Sequence, residues 1–573
     1  MSVWAAGDAA LLVRADADAG APARLRAAIL AENFPGILDT VPGAETVLVI
    51  AEPGHPDLPA LASRLAELAR EVPAGPDSAG TGAANVAHGV TETTEVTGPA
   101  AEIPAAEIPV VYDGADLAEV AEETGLSPEE VVARHAGRDY LVGWLGFSPG
   151  FGYLTGLDPA LHVARRATPR TSVPAGSVAI AGPLAAVYPS ASPGGWRLLG
   201  RTSVRLWDER REPPAALAPG QRVRFRPVDE AGEPLDLFPP GSAARAEPEL
   251  KPDLEPEPSG QGRVIEIVRP GPFAVVADLG RPGYGHLGVP RSGAADPDQL
   301  RLANRLVGNP EDAAAVELTL GGAVLRFCAP PGASPAWVAL TGAPAPVRLE
   351  GGRGPDRVGG AALADGSGYG VPFAVPAGAT LTVAPPRTGV RSYLAVRGGL
   401  AVAPVLGSRS WDTLSGLGPA PLRAGDRLPI GHRGGCEPIV ADLAPAAAAT
   451  PGPAELRIVA GPRDDWFTPE ARQRLRSAVY QVTSDSNRSG LRLSGPDLPR
   501  ARPGELASEG MPLGALQVPA SGQPILFLAD HPVTGGYPVI AVVATADIGR
   551  AAQLRPGDQV RFRLVPAPVG EKI

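Results

Sequence analysis

Five arginines lie within one stretch of predicted turns and short apolar runs, residues 146–202. They are Arg165, Arg166, Arg170, Arg197 and Arg201. The Pro-Gly and Gly-Gly pairs at 149–150 and 193–195 predict tight turns between strands. A guanidinium group binds carboxylates and phosphates through two parallel N–H donors, so this pattern predicts a surface for small anions. The alternative is a β-domain with ordinary solvated arginines.

Lysine is almost absent from the sequence, and this narrows the chemistry. Among 51 lysine and arginine residues, the lysines are Lys251 and Lys572. A Walker A loop, a pyridoxal phosphate Schiff base and a biotin carrier each need a lysine in a particular motif, and neither lysine lies in one. Any ATP chemistry must therefore use arginine, backbone amides and metal.

The composition predicts a soluble globular protein of several domains. A chain of 573 residues suggests about three to four domains. The net charge of −11 disfavours nucleic acid as a partner. The two cysteines exclude a disulfide framework and a four-cysteine zinc site. No apolar run reaches the roughly 18 residues of a membrane span, so we expect no membrane contact and a cytoplasmic location.

The pattern of apolar residues divides the chain into units. Residues 1–75 alternate strand-like and helix-like runs and predict a small α/β cap, with helices over 22–32 and 58–71. Residues 76–103 are polar, lack any period and predict a disordered insert. A β-rich domain follows over 104–228. The acidic, proline-rich stretch 229–262 predicts a linker before a second β-rich module over 263–566.

Two features locate individual elements within these units. Asp296 is predicted to cap a helix over 297–306. A turn followed by an alternating strand occurs at 218–226 and again at 554–563, with a weaker copy at 422–428. Such strands would close barrels, so three copies predict three related β-domains.

The motifs resemble two bacterial families. The first part carries GFSPGFGY (146–153), RATPR (166–170), VPAGS (173–177) and SPGGW (192–196), and resembles the allophanate hydrolase subunit 1 family, which includes the B subunit of 5-oxoprolinase and the Kip-type kinase inhibitors. The second part carries DLGRPG (278–283), ANRLVGN (303–309) and the loop 530–538, and resembles the subunit 2 family, which includes the C subunit of 5-oxoprolinase. Both families are similar to cyclophilin-like β-barrels. The resemblance thus implies a mainly β protein with several such domains and an α/β N-terminal cap.

The resemblance also implies a function and a set of site residues. It implies a 5-oxoprolinase component that activates 5-oxo-L-proline by phosphorylation with ATP, with Mg²⁺ as a candidate cofactor. A separate partner of the lactam-utilisation type, the A subunit of 5-oxoprolinase, then completes ring opening to L-glutamate. A homo-oligomer is also expected. For phosphate and substrate binding the candidates are Arg166, Arg170, Arg281 and Arg488. For acid/base or magnesium roles they are Asp278 and Asp530, with His531 as the candidate histidine.

Two other functions fit the same resemblance. One is the carboxyl-transfer module of a biotin-dependent urea carboxylase, although this chain has neither a biotin carboxylase nor a biotin carrier. The other is a non-catalytic Kip-type regulator of a histidine kinase. One departure from the family pattern is Ser489, where a methionine is expected after the Asn-Arg pair.

Overall fold

The computed structural model describes most of the two predicted modules. The described residues are 3–72, 106–239, 262–351, 368–440 and 452–569, except 16, 17, 19, 167, 169, 231, 234, 433 and 505. The predicted insert 76–103 and the central part of the predicted linker, 240–261, lie outside them. No helix in the described ranges is long and apolar enough to cross a membrane.

The N-terminal cap is a four-stranded antiparallel sheet with two helices. Its elements are β1 (Val3–Ala5), β2 (Ala10–Arg14), α1 (Ala21–Ala31), β3 (Ile37–Pro42), β4 (Thr46–Ala51) and α2 (Leu58–Glu71). The strand order is β1-β2-β4-β3. Leu61, Leu65 and Leu68 recur at helical spacing along α2 and are buried. Asp57 caps α2 by accepting a hydrogen bond from the Ala60 amide (2.9 Å), so this helix has the predicted bounds.

The first β-domain is built on a seven-stranded sheet. Its elements are β5 (Ala106–Val110), α3 (Leu117–Thr124), α4 (Pro128–Ala136), β6 (Asp139–Leu145), β7 (Gly152–Thr155), β8 (Arg170–Val173), β9 (Ser177–Ala181), β10 (Leu184–Val187), β11 (Ser192–Gly194), β12 (Arg197–Arg201) and β13 (Arg222–Pro227). The order is β12-β9-β10-β7-β6-β13-β5, and β11 pairs with β8 beside it. A bridge between Val111 and Arg201 joins the two ends of the large sheet.

The second module begins with two five-stranded sheets over one core. The elements are β14 (Val264–Arg269), β15 (Phe273–Ala277), α5 (Pro297–Leu306), β16 (Ala315–Thr319), β17 (Ala323–Cys328), β18 (Ala336–Gly342), β19 (Val347–Glu350), β20 (Pro372–Val375), β21 (Thr380–Val383), β22 (Arg391–Val396) and β23 (Arg427–Pro429). The sheets have the orders β19-β21-β17-β14-β23 and β15-β16-β22-β18-β20. Helix α5 has the predicted bounds, and Asp296 caps it by accepting from the Gln299 amide.

The second module ends in a closed barrel. The elements are β24 (Ala454–Ala460), α6 (Pro469–Ser477), β25 (Tyr480–Val482), β26 (Gly490–Ser494), β27 (Glu509–Gly510), β28 (Ala515–Gln517), β29 (Ile525–Phe527), β30 (Thr534–Gly535), β31 (Val539–Val543), α7 (Ile548–Ala552) and β32 (Gln559–Leu564). The barrel order is β24-β31-β28-β29-β26-β25-β32, with β27 and β30 paired outside it. The prediction of a mainly β protein with barrel-like domains and an α/β cap is confirmed.

The repeated turn-and-strand motif occupies the same place in two of the domains. Strand β13 pairs in parallel with β5 and antiparallel with β6, and β32 pairs in parallel with β24 and antiparallel with β25. Both strands bury alternate residues, Val223 and Phe225 in one and Val560 and Phe562 in the other. Because successive side chains of a strand point to opposite faces, one face of each strand is buried in the core of its domain. The weaker copy forms β23 and pairs antiparallel with β14.

The two modules interlock. Leu287, Val289, Leu406 and Leu417 belong to the second module by sequence but are buried in the core of the first β-domain. The predicted linker also begins later than expected. Phe238 is buried in that same core, so the chain stays on the first domain for about ten residues beyond the predicted boundary at 228, because this segment has an aromatic side chain to bury.

Candidate functional site

A cleft lies where the cap, the first β-domain and the C-terminal barrel meet. Its volume is about 680 Å³, a size typical of small-molecule sites. The lining consists of Arg14, Ala15, Asp18, Ala44 and Glu45 of the cap, Trp144, Thr155, Arg165 and residues 181–184 of the first domain, and residues 506–508 of the second module. Both modules contribute, so the cleft is complete when they are docked together.

Two buried polar side chains of this lining have no hydrogen-bond partner in the described part of the chain. Trp144 is 3% exposed, and its indole Nε1–H is unpaired. Ser508 is 5% exposed, and its hydroxyl is also unpaired, although its carbonyl accepts from the Ala44 amide (2.7 Å). A buried polar group without a partner costs about 1–3 kcal/mol, so folded proteins rarely leave one without a reason.

An aromatic cluster fixes the position of Trp144. Its ring stacks on Tyr153, with centroids 4.5 Å apart and an angle of 13° between the planes. Tyr153 in turn packs against the edges of Phe151 and Trp196. Large rings in such offset and edge-to-face contacts have few alternative positions, so the wall that they form is rigid.

The GFSPGFGY loop (146–153) docks directly on the second module. The Phe147 amide donates to Thr534 Oγ1 (2.8 Å), and the Gly150 amide donates to the Leu287 carbonyl (2.9 Å). A Cβ on Gly146 would lie 2.7 Å from Thr534 Oγ1. Glycine at this position therefore permits the close approach of the two modules.

Charges of both signs line the cleft. Arg14 and Asp18 come from the cap, as does Glu45, while Arg165 comes from the first β-domain. The glycine at 536 leaves room for the Arg165 guanidinium, since a Cβ there would lie 3.1 Å from Arg165 Nη1. Arg165 is thus the arginine of the 146–202 stretch that reaches the cleft.

Arg166 and Arg170, two of the predicted anion-binding residues, bind a carboxylate of the protein itself. Both donate to Asp116, Arg166 at 2.7 Å and Arg170 at 2.8 and 2.9 Å. Burial would raise the pKa of Asp116, but hydrogen bonds from Arg170 and from the Leu198 amide hold that pKa below its usual value. These arginines therefore anchor the start of α3, and neither lines the cleft.

Asp278 and Arg281 hold a segment of the second module, residues 405–415. Asp278 accepts hydrogen bonds from the hydroxyls of Ser408 and Ser410, each at 2.6 Å. Arg281 is 1% exposed and donates to the Ser410 and Val405 carbonyls. Burial lowers the pKa of Arg281. Both side chains are positioned to shape this segment.

Arg488 is the centre of a buried ion network between the two domains of the second module. It donates to Asp530 at 2.8 and 3.1 Å, to Glu317, and to the Gly293 carbonyl at 2.6 Å. Asp530 also accepts from Ser292 Oγ (2.6 Å). Burial would raise the pKa of Asp530, but the charge and hydrogen bonds of Arg488 hold that pKa below its usual value. The network joins the β26 loop to both domains.

His531 and a second aspartate lie beside this network. His531 Nδ1 is 2.9 Å from the Pro532 carbonyl oxygen, and burial lowers the pKa of the imidazole, so the ring is neutral at pH 7. Burial and the nearby charge of Asp530 raise the pKa of Asp412 to about 6. Neither His531 nor Asp412 lines the cleft.

The structure therefore sorts the predicted site residues into two groups. Asp278, Arg281, Arg488 and Asp530 meet along the segment 405–415, with His531 next to them, whereas Arg166 and Arg170 lie apart beside α3. Sequence reasoning missed the cleft residues Trp144 and Ser508. Trp144 stands two positions before the GFSPGFGY motif, but no local pattern distinguishes it or Ser508 from ordinary core residues.

The described residues do not form a metal site. No group of three or more His, Cys, Asp or Glu side chains within the described ranges is arranged to hold an ion. We therefore assign no described residue to Mg²⁺ binding.

Two family models match the two halves of the chain. Residues 1–217 match the carboxyltransferase domain, subdomains C and D, and residues 287–564 match the carboxyltransferase domain, subdomains A and B. A solved structure, described as that of TTHA0988, superposes with a TM-score of 0.76 at 35% identity and covers 97% of this chain and 99% of its own. The arrangement of both modules in one chain is thus shared with a solved protein.

Curated relatives match each half separately. The second half is 38% identical over 304 residues to the C subunit of 5-oxoprolinase from Escherichia coli K12, covering 52% of this chain and 90% of that protein. The first is 55% identical over 127 residues to the B subunit of 5-oxoprolinase from Escherichia coli O157:H7, covering 22% of this chain and 58% of that protein. Urea amidolyase of Saccharomyces cerevisiae is 33% identical over 322 residues, covering 52% of this chain and 16% of that protein. The predicted resemblance is confirmed: the chain belongs to the carboxyltransferase-domain family that includes the B and C subunits of 5-oxoprolinase, with both modules in one polypeptide.

Proposed function

We propose that this protein is the activating component of an ATP-dependent 5-oxoprolinase and that the cleft receives 5-oxo-L-proline. One observation carries this proposal. The two halves, which separately resemble the B and C subunits of 5-oxoprolinase, line one cleft together. A site at the junction of the two modules would need both of them, and pockets form preferentially at domain interfaces.

The chemistry that we propose addresses the low reactivity of a lactam. Transfer of the γ-phosphoryl group of ATP to the lactam oxygen releases ADP and makes the ring carbon electrophilic. Water then adds to that carbon, the carbon–nitrogen bond breaks, and a second water releases phosphate. The balance is one 5-oxoproline, one ATP and two waters to one glutamate, one ADP and one phosphate.

The roles of individual residues follow from where the side chains lie. Arg165 lines the cleft and is our candidate for the negative charge of the substrate or phosphate. Arg281 and Arg488 with Asp278 and Asp530 are positioning residues, because they are buried and hold the loops of the second module. We further propose ATP with Mg²⁺ as co-substrate, a partner protein of the lactam-utilisation type, a homo-oligomeric assembly and a cytoplasmic location.

The experiment is an ATPase assay of the purified full chain with and without 5-oxo-L-proline and with and without the partner protein of the lactam-utilisation type. We expect ADP release to require 5-oxoproline and glutamate to appear when the partner is added. If the rate of ADP release does not depend on 5-oxoproline, either with the partner or without it, the proposal is refuted.

A second candidate is carboxyl transfer. It is favoured by the description of both matching families as carboxyltransferase domains and by the urea amidolyase relative. The same preparation decides between them. Supplied with carboxylated biotin and urea, a carboxyltransferase would transfer the carboxyl group, whereas a 5-oxoprolinase component would leave the biotin carboxylated.

A further inference from the structure

We infer that the N-terminal cap, residues 3–72, is a docking partner of the second module, and that contacts with residues beyond 262 hold it in place. The family model that matches residues 1–217 joins the cap to the first β-domain. The packing joins it to the opposite end of the chain, through apolar clusters and through hydrogen bonds to carboxylates of the cap. This assembly is independent of the reaction that the cleft supports.

The last described residue of the chain completes the core of the cap. Val569 is 1% exposed and is buried in the same cluster as Leu25 of α1 and Leu65 of α2. Burial of apolar surface favours this contact. The segment after β32 therefore returns from the C-terminal barrel to the N-terminal unit and closes its core.

The second module also covers the outer face of the cap sheet. Successive residues of a strand point to opposite faces, so Leu11 of β2 packs with the cap helices, whereas Leu12 points away from them. Leu12 and Leu48 form a cluster with Val533 of the second module. A Cβ on Gly510, in β27, would clash with Leu48. Both faces of the cap sheet are thus buried, one by its own helices and one by the second module.

Two carboxylates of the cap bind backbone amides of the second module. Asp8 accepts hydrogen bonds from the Thr545 amide (3.0 and 3.1 Å) and the Thr545 hydroxyl (2.7 Å). Asp39 accepts from the amides of Gly283 (3.1 Å) and Gly285 (2.9 Å). Hydrogen bonds to ionised groups are short and directional. The cap is therefore held in one orientation against both domains of the second module.

A cation of the barrel adds a contact at the first strand. The guanidinium carbon of Arg463 lies 4.6 Å from the centre of the Trp4 ring, and the same guanidinium pairs with Glu509, Nε to carboxylate oxygen at 2.9 Å. An arginine over the face of an indole is attracted by the ring electrons. Trp4 of β1 thereby joins the cap to the barrel at a point away from Asp39.

The boundary between the cap and the first β-domain contains the cleft. Ala44 packs beside the aromatic cluster of the first β-domain, and both units line the cavity. The cap residues Arg14, Asp18 and Glu45 belong to this lining. Because the second module holds the cap, it also positions these three charged side chains.

The test cuts the full chain between the cap and the first β-domain. A recognition sequence for a site-specific protease is inserted within residues 76–103, and size-exclusion chromatography after cleavage shows whether the cap stays with the rest of the chain. We expect the parent to retain its cap. Urea is then raised until half of the parent's cap has dissociated, and the Kd of the cap is compared there. Asp8→Ala and Val569→Ala should each raise that Kd about tenfold, through lost hydrogen bonds and lost apolar burial.

Matched controls exist for both variants. Val440→Ala is the same exchange in the second module at a position that is 86% exposed. Glu67→Ala removes a cap carboxylate that pairs with Arg64 of the same helix. Both controls should keep the Kd within about twofold of the parent, as expected for surface changes. If Val569→Ala unfolds the cap, Asp8→Ala decides, because its described hydrogen bonds go to Thr545 and its removal leaves the cap core intact.

The outcomes are independent of ATP, 5-oxoproline and the partner protein, so failure of the proposed function leaves the docking of the cap standing. A parent cap that separates on cleavage without urea overturns the inference. A parent-like Kd in both Asp8→Ala and Val569→Ala also overturns it, since the first β-domain would then hold the cap. The same conclusion follows if the controls weaken retention as much as these two variants.

Discussion

Replacement of Arg488 by lysine tests whether the buried network holds the second module together. The guanidinium makes three hydrogen bonds to the carboxylates of Asp530 and Glu317 and a fourth to the Gly293 carbonyl. An ammonium group is a single point charge and cannot serve both carboxylates in this geometry. At least two charge-assisted hydrogen bonds are lost, each worth about 1.5–3 kcal/mol.

The expected destabilisation is large because solvent does not screen these charges. Arg488 is 4% exposed, and Asp530 and Glu317 are 0% exposed. Two lost bonds give about 3–6 kcal/mol, which overlaps the 3–5 kcal/mol measured when buried ion pairs are broken. For a unit of this size the thermal midpoint should fall by roughly 10 °C.

The control is Arg492→Lys, a matched exchange four residues later, at an exposed position on strand β26. It should change stability by less than about 0.5 kcal/mol. Differential scanning calorimetry at pH 7.5 measures both variants. An Arg488→Lys midpoint within about 2 °C of the parent, at the sensitivity expected for such domains, would show that the network contributes little and that the reasoning is wrong.

The pH dependence gives a second check on the same variant. Arg488 lowers the pKa of both Asp530 and Glu317 below their usual values. A depressed carboxyl pKa contributes stability that is present above the unfolded pKa and is lost as the pH falls through the folded pKa. The difference between the parent and Arg488→Lys should therefore be widest near neutral pH and should narrow in acid.

Three further changes have defined outcomes. Arg170→Lys should lower the thermal midpoint by the equivalent of about 1 kcal/mol, as for a partly exposed pair, and leave turnover within about threefold of the parent if the residue only anchors a carboxylate. In Gly146→Ala the added methyl group would lie 2.7 Å from Thr534, whereas in Gly143→Ala the nearest contact is an ordinary 3.4 Å. Calorimetry should therefore show a loss of about 1–3 kcal/mol in the free energy of unfolding for Gly146→Ala and not for the control, Gly143→Ala. Burial raises the pKa of Asp296 to about 6, so the parent loses about 2 kcal/mol as the pH rises from 4 to 7. Asp296→Asn avoids that loss but gives up one hydrogen bond of about 1 kcal/mol, and should melt below the parent at pH 4 and above it at pH 8.

Local signals in the sequence predicted the helices well. Helix α2 repeats leucine and alanine at helical spacing, and α5 follows an aspartate cap and a proline, so both have the predicted bounds. In each case the information lies within a few residues of the helix end, where hydrogen bonds are satisfied locally.

The candidate site was less predictable because its contacts join distant parts of the chain. The family resemblance selected Asp278, Arg281, Arg488 and Asp530, and the structure brings them together, but their spacing alone gives no indication of this. The cleft depends on the docking of Trp144 opposite a loop more than three hundred residues later. Which polar atoms remain unpaired after docking is a property of packing, and no single-sequence pattern encodes it.

The union of both modules in one chain changes how strongly they must bind each other. Two separate proteins at micromolar concentration need micromolar affinity, about −8 kcal/mol, to complete a shared cleft. A tether raises the effective concentration to about the millimolar range, so about −4 kcal/mol is then enough. The direct contacts of the GFSPGFGY loop with Thr534 and Leu287, together with the apolar residues of the second module buried in the first domain, supply an interface of this kind. The tether thus lowers the required binding free energy by about 4 kcal/mol. The loss expected for Gly146→Ala is smaller, about 1–3 kcal/mol. The joined chain therefore keeps its cleft after a change that would separate two free modules.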